Sequence, residues 1–422
     1  MSYGIQKKNG LEFNRLYEED LLIHDWYRFV LSYPPHLVKN YLHQFGIDNR
    51  HCVLDPFCGT GTTLVECKKN GIFSIGIEAN PVVHFIAETK TRWEVNSTAL
   101  SKHAETIAKE TKTRILKYGN NLKILTEEKK KLIIADSISP IPLHKALVLL
   151  EVINEFYDPC FSHYEKTAFA KQLVYSYSNL KFGPEVGVSR KKKLDSDVVE
   201  LWLNQVNKMV KDIGFFSNQK NPASVVYLAD SRNIGVRLQS ESIDAVITSP
   251  PYPNEKDYSR TTRLESVLLG FITNKKDLRI HKERFLRSNT RNIYVNDSDE
   301  KWIANNGRIL ELADSIERKR IELEKNSGFE KLYHKVVKHY FGGIARHLEE
   351  MKSKLRLGAK LAYVVGDQAS YFRILIQTGE ILADLARDAG YEVTDIDLFR
   401  TRISTTTKKQ MREEVVLLQW KG

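Results

Sequence analysis

Long apolar runs are missing from this chain. No stretch approaches the roughly 20 residues that span a bilayer, which excludes an integral helical membrane protein. Residues 1–20 are polar and charged, so no secretory signal is expected and a cytoplasmic location is. Cysteine is scarce: Cys52, Cys58, Cys67 and Cys160 are the four in 422 residues. They show neither CxxC spacing nor histidine partners arranged as in a zinc site. The thiols therefore read as reduced and mostly buried, and no metal is expected. Internal repeats and extended low-complexity tracts are also absent.

What is present is an ordinary hydrophobic fraction of 42% and a formal charge of +11. With a pI near 9.2, that balance favours a polyanionic partner, although charge argues for association and not for a fold. The length allows two or three domains, or one large domain carrying insertions.

Short apolar runs at 51–55, 73–78, 224–230, 243–248, 360–367 and 414–420 are of the kind that fill a buried parallel sheet. Helical patterns at 62–69, 342–355 and 378–388 separate them. The alternation predicts a doubly wound α/β domain of Rossmann-like type. Two interruptions are too long for plain loops and are predicted as largely helical inserts. The chain then divides into 1–95 and 223–253 as core, 96–222 as the first insert, 254–353 as a second, basic insert, and 354–422 as the rest of the core. In the first insert, 146–157 is apolar enough to be buried. A Gly/Pro-containing loop at 182–193 ends in Arg190, Lys191, Lys192 and Lys193. In the second, residues 275–291 set seven Lys or Arg against two acids.

Residues 53–63 read Val-Leu-Asp-Pro-Phe-Cys-Gly-Thr-Gly-Thr-Thr, a strand leading through glycines into a helix, where backbone approaches a ligand closely. The third glycine of the dinucleotide fingerprint is replaced by Leu64, and the Lys-Ser/Thr ending of a phosphate-binding loop is missing. A pyrophosphate ligand is thereby disfavoured. Glu78 ends the next strand, nineteen residues beyond Gly59, where an acid accepts hydrogen bonds from ribose hydroxyls. Asp230 ends the third strand and is a candidate for an adenine amino group. An adenosine without phosphates, held by acids, fits S-adenosyl-L-methionine.

Downstream, the strand 243–248 delivers Ser249-Pro250-Pro251-Tyr252. Two prolines stiffen the loop. Ser249 offers an acceptor to an exocyclic amine, and Tyr252 offers a ring face to a flat heterocycle, as in base-flipping enzymes.

With these elements in succession, the chain resembles the S-adenosylmethionine-dependent amino-methyltransferases of DNA, which modify N4 of cytosine or N6 of adenine. Residues 55–61 look like the family's cofactor motif and 249–252 its catalytic motif. Residues 24–38 are similar to the segment that precedes the cofactor motif and covers the methionine end of the cofactor. Gly366 and Asp367, after 361–365, resemble a late strand and its turn. The resemblance covers about 20–95 and 222–422, with both inserts outside it. It implies a methyltransferase sheet, S-adenosyl-L-methionine as cofactor, double-stranded DNA as partner, and a cognate restriction endonuclease as a further candidate partner. The implied cofactor contacts are Tyr33, Pro34, Asp55, Pro56, Phe57, Gly59, Gly61, Thr62, Thr63, Glu78, Ala79, Asp230 and Ser231. The cofactor motif precedes the catalytic motif, as in a subset of the family in which a recognition domain commonly lies between or after the motifs. Here target reading is assigned to the inserts.

An exocyclic amine is a poor nucleophile because its lone pair is delocalised into the ring. Ser249 and the carbonyl of Pro250 are expected to accept its hydrogens, so that catalysis is positioning and electrostatics without a covalent intermediate. A 5-methylcytosine enzyme needs a cysteine nucleophile. Pro159-Cys160 is the one Pro-Cys pair, far from any strand end, and is read as structural, as is Cys58. His24 and His36 are read as packing or surface residues. Candidate DNA contacts are Arg190 to Lys193, Arg260 and Arg263 after the catalytic loop, and Lys282, Arg284 and Arg287 in the cationic run. Serine at the head of the motif favours N4-cytosine, since aspartate or asparagine is commoner in N6-adenine enzymes. The alternatives are an N6-adenine enzyme, an RNA guanine-N2 methyltransferase, and a catalytically silent nucleic-acid-binding protein.

Overall fold

A computed structural model describes residues 18–29, 32–183, 185–216, 222–235, 237–403 and 410–422. Nine strands form among them: β1 (Cys52–Asp55), β2 (Phe73–Glu78), β3 (Leu180–Phe182), β4 (Val186–Val188), β5 (Ser224–Leu228), β6 (Ile243–Thr248), β7 (Leu355–Gly366), β8 (Glu392–Ile403) and β9 (Gln410–Gln419). Seven make one sheet in the order β5-β2-β1-β6-β7-β9-β8. Only β9 runs against its neighbours. The order reverses between β1 and β6, the position where open α/β sheets bind ligands.

Both faces of the sheet are covered, which is why its strands read as continuous apolar runs. Leu54, Val246, Leu361, Tyr363, Val365, Val416 and Leu418 pack on one face against the helices Tyr333–Met351 and Thr378–Asp388. Their sequence neighbours Val53, Ala245, Ile247, Ala362, Val364, Val415 and Leu417 pack on the other against the helix Pro35–Phe45. That helix begins with Pro35 at its first position and ends at Gly46 with φ 70°, the usual start and stop chemistry.

The first insert is a helical body. The helices Ser97–Tyr118, Pro140–Glu155, Ser162–Gln172 and Val198–Phe216 enclose Trp202, Phe169, Leu149 and Ile107. It docks on the core through Asp212, whose Oδ2 accepts from Ile23 N at 3.1 Å and Trp26 Nε1 at 2.9 Å. Part of the stretch 182–193 expected as a loop is the hairpin β3–β4. In the run 146–157, Tyr157 is exposed, having passed the end of its helix.

The boundary expected at 353 is corrected. The helix predicted at 342–355 begins at Tyr333 and ends at Met351, and it buries Val336, Tyr340, Ile344 and Leu348 against the sheet. β6 and β7 are parallel, so a crossover element must join them, and this helix belongs to the core. Its Gly342 lies under the segment Asp299–Ile303: a Cβ there would stand 2.1 Å from Asp299 O. Among the described residues, no helix is long and apolar enough to cross a membrane, and no group of three His, Cys, Asp or Glu is placed to hold a metal ion.

Candidate active site

The carboxyl ends of β1, β2 and β6 open onto one cavity. Ser249, Pro250, Pro251 and Tyr252 line it together with Tyr33, Pro34, Phe57, Gly59, Thr62, Glu78, Ala79, Asp230 and Ser231. Thus two motifs separated by nearly 190 residues meet at the sheet's switch point.

On the β1–β2 side the glycine loop is shaped around Glu78. Gly59 and Gly61 have φ of +51° and +83°, the left-handed region that favours glycine. Gly59 N donates to Glu78 Oε2 at 3.0 Å, and Asn80 N to Oε1 at 2.7 Å. Burial pushes the Glu78 carboxyl up to about 7, with Asp55 adding to the rise and the backbone donors opposing it. A Cβ on Gly59 would meet nothing within 4 Å, so the glycine leaves an open cradle beside the acid. These features suit a ribose-bearing ligand without phosphates. The cavity wall is completed by Phe57, packed edge-on to His347 at 5.0 Å.

Four expected cofactor contacts lie behind this wall: Asp55, Pro56, Gly61 and Thr63 are absent from the cavity lining. Asp55 is fully buried and accepts from Thr248 Oγ1 at 2.6 Å, Tyr33 Oη at 2.9 Å and Phe57 N at 3.1 Å. It shapes the loop from beneath. Burial raises its carboxyl to about 6, against the pull of those donors. Thr63 donates to Ile247 O at 3.0 Å, and the Pro56 carbonyl accepts from Ser231 Oγ. Gly61 faces the helix Pro81–Thr91, where its Cβ would lie 3.5 Å from Ala87. Asp230 does reach the cavity but is paired with Arg232, Nε to Oδ1 at 3.0 Å and Nη2 to Oδ2 at 2.7 Å. Arg232 in turn meets Asp299 at 2.5 Å.

On the other side, Ser249 Oγ donates to Val364 O at 3.0 Å. That bond uses the hydroxyl's one hydrogen and leaves its lone pairs as acceptors. Tyr252 sits against Gly366, where a Cβ would come within 3.3 Å of the ring. Its hydroxyl pKa is raised, chiefly by burial and then by Glu413 nearby. Tyr258, stacked on Phe29 with centroids 6.2 Å apart, accepts from Tyr252 N at 3.4 Å.

Of segment 24–38, Phe29, Ser32, Tyr33 and Pro34 reach the cavity; Val30 and Leu31 lie outside the described residues. His24 is buried with Nε2 2.7 Å from Glu66 Oε1, and burial pushes its imidazole down to about 4. His36 lies 3.8 Å from Asp20. Cys58 is buried beside the loop, whereas Cys160 is exposed, contrary to its reading as a buried structural thiol.

Several expected DNA contacts are corrected. Lys282 is buried and paired with Asp257 at 3.2 Å, and Arg287 is buried and paired with Asp297 at 2.6 Å. Arg263 donates to Ser259 O at 3.1 Å and to Leu132 O at 3.2 Å, which joins the catalytic-loop exit to the first insert. All three hold segments together, and for Lys282 and Arg287 burial without a partner would strand a charge. Arg284 is exposed and lines the cavity; Arg260 is half-buried and stands outside the lining. Arg190 and Lys191 are exposed, Lys192 lies 4.0 Å from Asp136, and Lys193 Nζ caps Ser176 O at 2.8 Å.

Sequence reasoning missed His347, Phe399, Arg400 and Glu413. His347 holds Ser231 O through Nδ1 at 2.8 Å and Tyr363 Oη through Nε2 at 2.8 Å, and burial keeps it neutral by pushing it down to about 4. The other three line the cavity from β8 and β9. No motif marks any of them.

Residues 7–89 match the family model described as DNA methylase, of the N6/N4 methyltransferases. The chain is similar to the type II methyltransferase M.BsoBI of Geobacillus stearothermophilus, 26% identical across 92% of this chain and 82% of the relative. It is similar also to M.AvaI of Nostoc sp. strain PCC 7120, 25% identical across 88% of this chain and 79% of that one. A solved S-adenosylmethionine-dependent methyltransferase from Methanosarcina mazei aligns at 9% identity with a TM-score of 0.31, covering 90% of this chain and 97% of that one.

Proposed function

We propose that this chain is an S-adenosylmethionine-dependent amino-methyltransferase of the N4/N6 family, as its family-model match and its type II relatives support, and that it methylates N4 of cytosine at a specific site in duplex DNA. The family-model match and the type II relatives support DNA as substrate; the geometry of the cavity supports the choice of acting residues. The observation that carries an exocyclic amine as the methyl acceptor is the Ser249 hydroxyl, whose hydrogen is committed to Val364 O at 3.0 Å while its lone pairs remain as acceptors on the cavity wall; the choice of cytosine rests on serine heading the motif.

S-adenosyl-L-methionine, when bound, supplies an electrophilic methyl on a sulfonium. Glu78 is suited to accept from the ribose hydroxyls, and Gly59 to let the nucleoside approach the backbone. Asp230 retains lone-pair capacity for one amino hydrogen beyond its bonds to Arg232. The target base, turned out of the helix, would stack on Tyr252 and place its amine against Ser249 Oγ and the Pro250 carbonyl. Accepting both amine hydrogens favours a pyramidal nitrogen with an exposed lone pair, and the acceptors gain strength as positive charge develops there. In direct transfer the N–C bond would form as the sulfonium S–C bond breaks, leaving a neutral thioether, and the surplus proton on the amine would pass to solvent, so no nucleophilic side chain is needed.

Arg284 at the cavity mouth and Arg190 and Lys191 near the β3–β4 hairpin are suited to hold phosphates. A cognate restriction endonuclease would give such a methyltransferase a protective role. The test is digestion of DNA incubated with the protein and labelled cofactor, followed by separation of nucleosides. N4-methylcytosine is expected. N6-methyladenine as the product would transfer the reading to adenine, and 5-methylcytosine would remove it.

A further inference from the structure

We propose that Arg400 reads the ring edge of the target base and is the residue that separates cytosine from adenine. The inference rests on the reading that the base amine lies at Ser249 and Pro250.

Gly366 of β7 pairs with Glu413 of β9, and Glu413 pairs with Arg400 of β8. The three form a row across the sheet at the carboxyl end of β7. Tyr252 packs on the first member of that row, and Glu413 and Arg400 line the same cavity as Ser249. The row therefore stands on the base side, with Ser249 between it and the Glu78 side.

Glu413 is buried, 8% exposed, and both its oxygens are engaged: Oε2 by Arg400 Nε at 2.5 Å, Oε1 by Arg402 Nε at 3.4 Å. It fixes Arg400 and has little capacity left to read a base itself. The two terminal nitrogens of Arg400 carry four N–H donors, and among the described residues no hydrogen bond ties them. Their positive charge also acts on the Tyr252 hydroxyl.

Along the Watson–Crick edge, cytosine presents its N4 amine, then N3 and O2 as two adjacent acceptors. Adenine presents its N6 amine, then N1 as an acceptor and a C2–H. With the amine given to Ser249 and Pro250, a guanidinium fork matches the two acceptors of cytosine and meets a C–H in adenine. An ammonium would lack the second parallel donor.

The experiment uses the full chain and a duplex carrying its mapped site, with the target position either cytosine or a mispaired adenine. Single-turnover methyl transfer is measured for the unmodified protein, Arg400→Met and Arg400→Lys, with cofactor affinity and circular dichroism alongside. The cytosine rate is expected to fall roughly 5- to 150-fold in both variants. The adenine rate should stay within about twofold, so that the preference collapses while cofactor affinity holds. Equal losses on both bases, or a preference left intact, would overturn the proposal; equal losses with a flatter salt dependence would identify Arg400 as a phosphate contact. No transfer by the unmodified chain would instead defeat the underlying functional reading, and preferred transfer to adenine would defeat both.

Discussion

Lys282 Nζ lies 3.2 Å from Asp257 Oδ2 with both side chains closed to solvent. Asp257 also caps the short helix Tyr258–Thr261 through Ser259 N and Arg260 N. The pair therefore pins the exit of the catalytic loop to the helix Lys275–Glu283, and a cation that reads in sequence as a DNA contact is an internal tie.

Removing one partner of a buried pair costs about 3–5 kcal/mol. Lys282→Ala is expected to lower the unfolding free energy by that order without changing the salt dependence of DNA binding. Arg284→Ala should do the reverse, leaving stability within about 0.5 kcal/mol and reducing the slope of log affinity against log salt by about 0.9. Salt titrations and denaturant melts of the two variants separate these roles. A normal melt for Lys282→Ala with a flattened slope would return it to the DNA surface.

Ser249→Ala removes an acceptor that strengthens as charge develops on the amine. A hydrogen bond to a charged group contributes about 1.5–3 kcal/mol, so the single-turnover rate should fall by roughly ten- to a hundredfold, with cofactor affinity unchanged. Labelled transfer paired with calorimetry measures both. Equal damage to rate and cofactor affinity would point to lost loop structure.

Tyr252→Ala is expected to weaken capture of the flipped base by about 1–3 kcal/mol, while Tyr252→Phe keeps most of the stacking. Gly366→Ala should resemble the alanine variant, because its Cβ would come within 3.3 Å of the ring and 3.1 Å of Glu413 Cγ. Fluorescence of a reporter base at the target position follows extrusion directly. Full extrusion in Tyr252→Ala would remove the platform.

The Glu78 carboxyl is pushed from 4.5 up to about 7 by burial. Its neutral form is favoured in the folded chain, so its contribution to stability is fully present below 4.5 and lost as pH rises through about 7. Ribose hydroxyls donate to the ionised form, so cofactor affinity should move oppositely and weaken by up to about tenfold per unit below 7. Glu78→Gln should bind with little pH dependence between 6 and 8, and should gain stability relative to the unmodified chain most at pH 8. Below 6, Asp55 adds its own dependence, since burial raises it to about 6. Calorimetry across this range decides, and an unchanged slope in Glu78→Gln would place the titrating group elsewhere.

The doubly wound core, the glycine loop and the Ser-Pro-Pro-Tyr loop are legible from the order of residues alone. Each rests on local physics: apolar runs that only a two-sided sheet can bury, glycines where φ must be positive, and prolines that fix a turn. The helix predicted at 378–388 is Thr378–Asp388, because an amphipathic stripe is a one-dimensional signal. β8 was not legible. It is an edge strand whose residues are all half-buried or exposed, in no regular alternation, and its polar side chains guard the edge while hiding the strand.

Tertiary structure decided which cations are free and which groups face the cavity. Lys282, Arg284 and Arg287 are neighbours in one basic run, yet two are buried with acids ten or twenty-five residues away and one is exposed. Arg400 and Glu413 enter the site only because a register shift between Leu398 and Arg400 sets Arg400 opposite Glu413. Pairing partners and burial depend on contacts between distant segments, and neither composition nor spacing records them.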